Sequence, residues 1–194
     1  MKTSPLLSTF DHRFTLLEVK QTCARLEAAA SADLWAAWLK LLLGNEGRGT
    51  INAAWVASHL KGKMLLRLRP HLEGLADCAM NTHDSTLRRL WLTTVLHLLE
   101  QFLPRSLTPA QAEARLSPTL MKLLDFCMQR IAPTEENTHL PALCIKLAMV
   151  ITHHFPEVQC ELKALLLGLD DAPCSPAIAA AQRNALKAMA KKRL

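Results

Sequence analysis

The residues of this chain best equipped for chemistry are its eight histidines and six cysteines, and their spacing argues against putting either to catalytic or metal-binding use. His153 and His154 are adjacent, so on a helix they point in different directions. No H-x-x-x-H or H-E-x-x-H run occurs, and no cysteine pair stands at zinc-finger spacing, so no metal site is expected. His59 and His97 fall in apolar helical stretches, where a hydrogen-bonded histidine serves as a core or boundary residue. Cys23, Cys78, Cys127, Cys144, Cys160 and Cys174 never form C-x-x-C, and each lies in or beside an apolar run where a thiol packs as a small hydrophobe. A chain of 194 residues can build a core without a disulfide framework, so all six are predicted reduced, in a cytoplasmic setting.

Nucleophile and phosphate motifs are equally absent. There is no G-x-S-x-G elbow, and no cysteine stands beside an obvious base. Gly44-Asn45-Glu46-Gly47-Arg48-Gly49 superficially resembles a phosphate loop, but no Lys-Ser/Thr follows and no strand precedes it. The Ser-Ser-x-Met-Pro-x-Lys-x-Asn loop of the all-helical fumarase and adenylosuccinate lyase superfamily is also missing, and the chain is too short for such an enzyme. The expectation is a non-enzymatic protein with no catalytic residue and no cofactor.

Half of the residues are apolar, with six Gly and no Tyr, a composition that excludes disorder and favours helix over sheet. The net charge of +6 invites a nucleic-acid reading, but Arg183, Lys187, Lys191, Lys192 and Arg193 supply most of it. A basic run on the last turns of a helix is what the helix dipole favours. Leu6-Leu7 is too short for an export signal, and the Leu140–Ile151 stretch, interrupted by Lys146, is too short for a membrane span. A soluble protein with no membrane partner is expected.

The elements that would position functional side chains are helices, and one of them is written more than once. The stretch from Asn52 to Leu60 aligns with that from Arg88 to Leu96, placing Trp55 and Trp91 in register, 36 residues apart. That period is typical of stacked helix pairs, which share one continuous core because no unit can bury its apolar face alone. Both tryptophans are therefore predicted to be buried against the next layer. A first helix is expected from Leu16 to Ala30 with Val19, Cys23 and Leu26 inward, then one capped by Asp33 and carrying Leu34, Trp35, Trp38, Leu41 and Leu42. Residues 50–61 and 64–80 form the next pair, the second helix burying Leu72, Leu75, Ala76 and Ala79. Asp84 or Ser85 opens a helix to Phe102 that is apolar on more than one side, as a middle repeat requires. Residues 104–117 interrupt the pattern. Within and around them Thr108-Pro109, Ser117-Pro118 and later Ser175-Pro176 each read as an N-cap followed by a first-turn proline. These predict helices over 109–115 and 118–131 and a last one from 176, with a loop over 132–139. Helix 140–154 and its partner, from Pro156 through Leu169, lie between. The last helix shows a narrow stripe of Ile178, Ala181, Ala185 and Met189, which suits a terminal cap.

Helix 50–61, helix 87–102 and the Leu143–Met149 stretch before Phe155-Pro156-Glu157 resemble HEAT/armadillo-like solenoids. More narrowly, the chain looks like small bacterial members of that class related in architecture to DNA-alkylation-repair glycosylases. The resemblance implies an all-α fold: a short right-handed α-α superhelix of HEAT/ARM-like helix-pair repeats, with eight to ten helices and no sheet. It makes residues 1–194 one domain, with 1–15 as lead-in, 104–117 as interruption, and 175–194 as a capping helix with a basic tail. In the glycosylases an acidic residue stands one turn from active-site aromatics. Here the positions one turn after Trp35, Trp55 and Trp91 are Leu39, His59 and Val95, so that activity does not carry over.

Two surfaces remain as candidates. Glu73 and Asp77, then Lys122, Asp125 and Gln129, then Gln159 and Lys163, recur at helical spacing on the second helix of successive pairs. Stacked, they would form a mixed-charge ridge suited to a protein or peptide partner. The alternative is nucleic-acid binding through Lys61, Lys63, Arg67 and Arg69, with Arg183, Lys187 and Lys191, although no aromatic is interleaved in the first run. The sequence reading is an interaction scaffold presenting an extended helical-repeat surface to a protein partner.

Overall fold

The computed structural model describes residues 10–28, 32–44, 47–132, 140–169 and 175–191, and among them there is no strand. The helices are α1 (Leu16–Ala28), α2 (Ala32–Leu42), α3 (Arg48–His59), α4 (Gly62–Leu66), α5 (Leu72–Asn81), α6 (Ser85–Phe102), α7 (Pro109–Glu113), α8 (Pro118–Gln129), α9 (Leu140–Thr152), α10 (Pro156–Leu167) and α11 (Pro176–Lys191). α4 and α7 are single turns of five residues, so the longer helices match the expected number. The 133–139 loop, Cys174 and the tail end at Lys192-Arg193 lie outside the described residues. The chain divides into two compact units, Met1–Leu98 and Leu99–Leu194.

In the first unit, α1 and α2 both pack on α3. α3 presents Ala53, Ala54, Val56 and Ala57, all fully buried, and these short side chains let its neighbours approach closely. The lead-in is fastened by Asn52, which is 2% exposed. Its amide nitrogen donates to the carbonyls of Phe10 (2.9 Å) and His12 (2.6 Å), and its oxygen accepts from the Phe14 amide (3.2 Å). α1 then opens with a capping box. The Thr15 hydroxyl accepts from the Glu18 amide at 3.3 Å, and the Glu18 carboxylate accepts from the Thr15 amide at 2.7 Å. Asp33 does not cap α2, because that helix already starts at Ala32; it lies in the first turn, where the helix dipole favours an acid.

Two expectations need correction here. Trp91 is 2% exposed and donates through Nε1 to the Leu42 carbonyl at 3.1 Å, but Trp55 is only half-buried and packs edge-on against His59. The matched letters do not play matched roles, because α3 is buried through small residues and its one large ring is left at the margin. Nor is 64–80 one helix. Pro70 lacks a backbone donor and breaks it into α4, a 3-10 turn over Arg69–His71, and α5. Gly62, with φ of 52°, takes the left-handed conformation that opens α4. The inward face of α5 is as expected: Leu72, Leu75, Ala76 and Ala79 are buried.

Asp84 caps α6, its carboxylate accepting from the amides of Thr86 (2.7 Å) and Leu87 (3.0 Å). α6 is buried over most of its girth, through Leu87, Trp91, Leu92, Val95 and Leu99 among others. In the second unit α9 packs against α8, α10 and α11. It too is buried on several sides, by Cys144, Ile145, Leu147, Ala148 and Ile151. The hydroxyl–proline starts form as the sequence predicts. Thr108 makes a full capping box with Gln111, Ser117 accepts from the Leu120 amide at 3.3 Å, and Ser175 accepts from the Ile178 amide at 3.4 Å.

Candidate functional site

α8 shows how a polar stripe is made. With Leu120, Leu123, Leu124, Phe126 and Cys127 buried, the opposite face must carry Met121, Lys122, Asp125 and Gln129, and all four are exposed. On α10 only Leu162 and Leu166 are buried, so most of its surface is left for other uses. Gln129, Met128 and Ile131 line an open groove of about 930 Å³ whose other wall is Glu161, Ala164, Leu165 and Gly168. Leu165 is 44% exposed there, among the most exposed large apolar residues of the described chain.

The ridge residues of the sequence reading are therefore sorted by the structure. Lys122, Asp125 and Gln129 share the exposed face of α8. Gln159 and Lys163 are half-buried, and Gln159 lines a separate, smaller cavity with Met149, His153 and Ala188. The α10 residues that meet the α8 side of the groove are Glu161 and Leu165, two positions on from the pair chosen by spacing and so about 200° round the helix, on nearly its opposite face. Glu73 and Asp77 are exposed on α5, in the first unit.

The basic residues are also exposed. Lys61 precedes α4, Lys63 lies in it, and Arg67 and Arg69 follow in the turn toward α5, while Arg183, Lys187 and Lys191 recur every four residues along α11. The structure adds an aromatic that the sequence does not show beside the first run. The Arg67 guanidinium lies 4.2 Å from the centre of the Trp35 ring, and that ring is 4.9 Å from Trp38. α2 delivers it from about thirty residues away, beyond the reach of local spacing.

Several side chains with nucleophilic potential are held in structural roles. Ser58 Oγ is 3.2 Å from His59 Nδ1, a serine–histidine contact, but Ser58 donates its proton to the Trp55 carbonyl at 2.8 Å. His59 Nδ1 is itself 3.0 Å from that same carbonyl, which fits a protonated Nδ1 that cannot accept from serine. The Cys127 thiol is pushed up by its hydrogen bond to Cys144 and then by burial, and burial likewise raises Cys23 and Cys78, so none is activated as a thiolate. Cys23, Cys78, Cys127, Cys144 and Cys160 are all free thiols. Among the described residues, no three His, Cys, Asp or Glu side chains gather closely enough to hold a metal ion, and no helix is long and apolar enough to cross a membrane.

An all-helical chain whose long helices bury one another in succession, with caps at predictable starts, is a helical-repeat protein. The profile of the HEAT repeat domain family matches residues 7–189, and the chain belongs to that family. No match was found among curated proteins or solved structures. The match is to the repeat fold and does not extend to the alkylation-repair glycosylases.

Proposed function

We propose that this chain is a non-enzymatic scaffold that presents its helical-repeat surface to a protein or peptide partner in the cytoplasm. Its membership of the HEAT repeat domain family carries the reading, because stacked helix pairs offer extended surfaces and the side chains here are arranged for packing rather than chemistry. In the second unit the contact surface is the outer face of α8 together with the groove it shares with α10. The groove has an apolar floor around Ile131 and Leu165, with Glu161 and Gln129 on its walls. Its complement is a peptide carrying an apolar residue next to a lysine or arginine, the first to fill the floor and the second to meet Glu161. In the first unit Glu73 and Asp77 offer a further acidic contact.

Peptides selected from a random library against the full chain test this directly. Binding measured by fluorescence anisotropy should weaken at least about tenfold in Leu165→Asp and in Glu161→Lys, the loss of a buried anchor or a charge partner. Joint charge reversal at Lys122 and Lys163 should also alter affinity. Peptides that bind all these variants as they bind the parent chain would overturn the reading.

The stack of Arg67 on Trp35 favours a second reading, in which Lys61, Lys63, Arg67 and Arg69 track a single nucleic-acid strand and the indole stacks a base. A salt titration with an oligonucleotide separates the two: affinity that falls steeply with salt and drops in Trp35→Ala supports strand binding.

A further inference from the structure

We propose that the smaller cavity of the second unit binds a free apolar amino acid about the size of leucine or methionine. The cavity holds about 220 Å³, which is roughly seven water volumes and less than a drug-sized pocket. It therefore takes a ligand of about ten non-hydrogen atoms, too small a space for a folded segment of a partner.

The lining narrows the chemistry. α9 supplies Met149 and Val150, His153 follows from just past its end, and α10 and α11, both packed on α9, bring Gln159 and Ala188. Ala188 is what leaves the space open, since α11 contributes only a methyl group there. Glu100, in the last turn of α6, and Arg105, just beyond it, place a carboxylate and a guanidinium on the same lining, with buried Leu103 between them in sequence. Among the described residues neither of these charges has an ion-pair partner.

These groups act by elimination. A simple anion such as phosphate would suit Arg105 but meet repulsion from Glu100, and a simple amine would meet the reverse. A purely apolar ligand would strip water from both charges and return nothing. A zwitterion satisfies both: Arg105 grips the α-carboxylate in its planar fork, and Glu100 accepts from the α-ammonium. The Gln159 amide, both donor and acceptor, fixes the orientation of the ligand, and the apolar arm lies against Met149, Val150 and Ala188.

The test is calorimetric titration of the full chain with L-leucine and L-methionine, beside 4-methylpentanoate, which lacks the ammonium, and leucinamide, which lacks the carboxylate. One-to-one saturable binding of at least one amino acid is expected, about tenfold or more tighter than either single-charge analogue. Arg105→Ala and Glu100→Gln, both at exposed positions, should each weaken it by at least about tenfold. Ala188→Leu should abolish binding by filling the space, with an unchanged helical spectrum showing that the fold survives. No saturation by either amino acid, equal affinity for the analogues, or binding unaffected by Ala188→Leu would overturn the proposal. These variants leave the α8–α10 groove intact, so the outcome is independent of the scaffold reading.

Discussion

The two units of this chain are nearly equal in length and equally helical, yet they are held together by different means. In the first, buried polar side chains reach far along the chain. Asn52 binds the lead-in across 42, 40 and 38 residues, and Trp91 reaches Leu42 across 49. In the second, the corresponding tie among the described residues is Gln182 Nε2 to the Leu166 carbonyl, 16 residues away at 2.8 Å, beside local caps and apolar packing. The second unit also contains the groove and the small cavity, and among the described residues buried polar atoms without a hydrogen-bond partner occur in both units, Trp38 Nε1 in the first and Thr152 Oγ1 and His154 Nε2 in the second. The contrast teaches that a helical repeat can close over long stretches of chain through single polar side chains in one place and rely on short-range caps and apolar packing in another. The first arrangement makes stability depend on single atoms; the second leaves room for ligands.

Removing the ring of Trp91 tests the contrast hardest. Trp91→Ala should cost about 3–5 kcal/mol, from lost apolar burial plus an empty cavity. Trp91→Phe keeps most of the packing and should cost about 1–2 kcal/mol, part of it from the unpaired Leu42 carbonyl. Urea unfolding followed by circular dichroism measures both. Asn52→Ala comes next at about 2–3 kcal/mol, because it strands one backbone donor and two acceptors together. Gln182→Leu, which loses a short-range tie, should cost about 1–2 kcal/mol. If Gln182→Leu proves as damaging as Asn52→Ala, the two units are held alike and the contrast fails.

What the sequence revealed and what it hid divide along the same line. The starts at Thr108-Pro109, Ser117-Pro118 and Ser175-Pro176 are written within four residues, and all three form. The apolar girths of α6 and α9 are likewise visible, since a sandwiched helix has little room for polar residues. The Asn52 clamp is not visible, because nothing in its neighbourhood announces partners some forty residues earlier. Trp35 beneath Arg67 is hidden for the same reason. That the groove is lined by Glu161 and Leu165, and not by Gln159 and Lys163, was hidden for a different one. A helix that buries only Leu162 and Leu166 has weak periodicity, and i,i+4 spacing does not say which neighbour a stripe will face. The Thr15–Glu18 capping box could have been read, since Thr-x-x-Glu before an apolar run is its signature.

That capping box supplies the smallest predicted effect. The Glu18 carboxyl is lowered from 4.5 to about 2, first by the Thr15 amide, then by His12 at 2.7 Å and by the Thr15 hydroxyl. A carboxylate whose folded pKa is depressed favours the folded state when ionised. Its contribution is therefore fully present above about pH 4.5 and is lost as pH falls from there toward 2. Because the group is open to solvent, the effect on global stability should be slight, and it is best seen at the residue itself. Carbon-detected titration of the side-chain carboxyl should place its midpoint near 2, and Thr15→Ala, which removes the hydroxyl but keeps the amide, should raise that midpoint only part of the way toward 4.5. The fraying of α1, followed by amide exchange between Val19 and Cys23, should increase over the same acid range in the parent chain. In Glu18→Gln it should be greater at neutral pH and nearly flat across that range. An ordinary Glu18 titration would mean that the box does not persist in solution. The first unit would then rely for its opening turn on the Asn52 clamp alone, which would sharpen the comparison with the locally capped second unit.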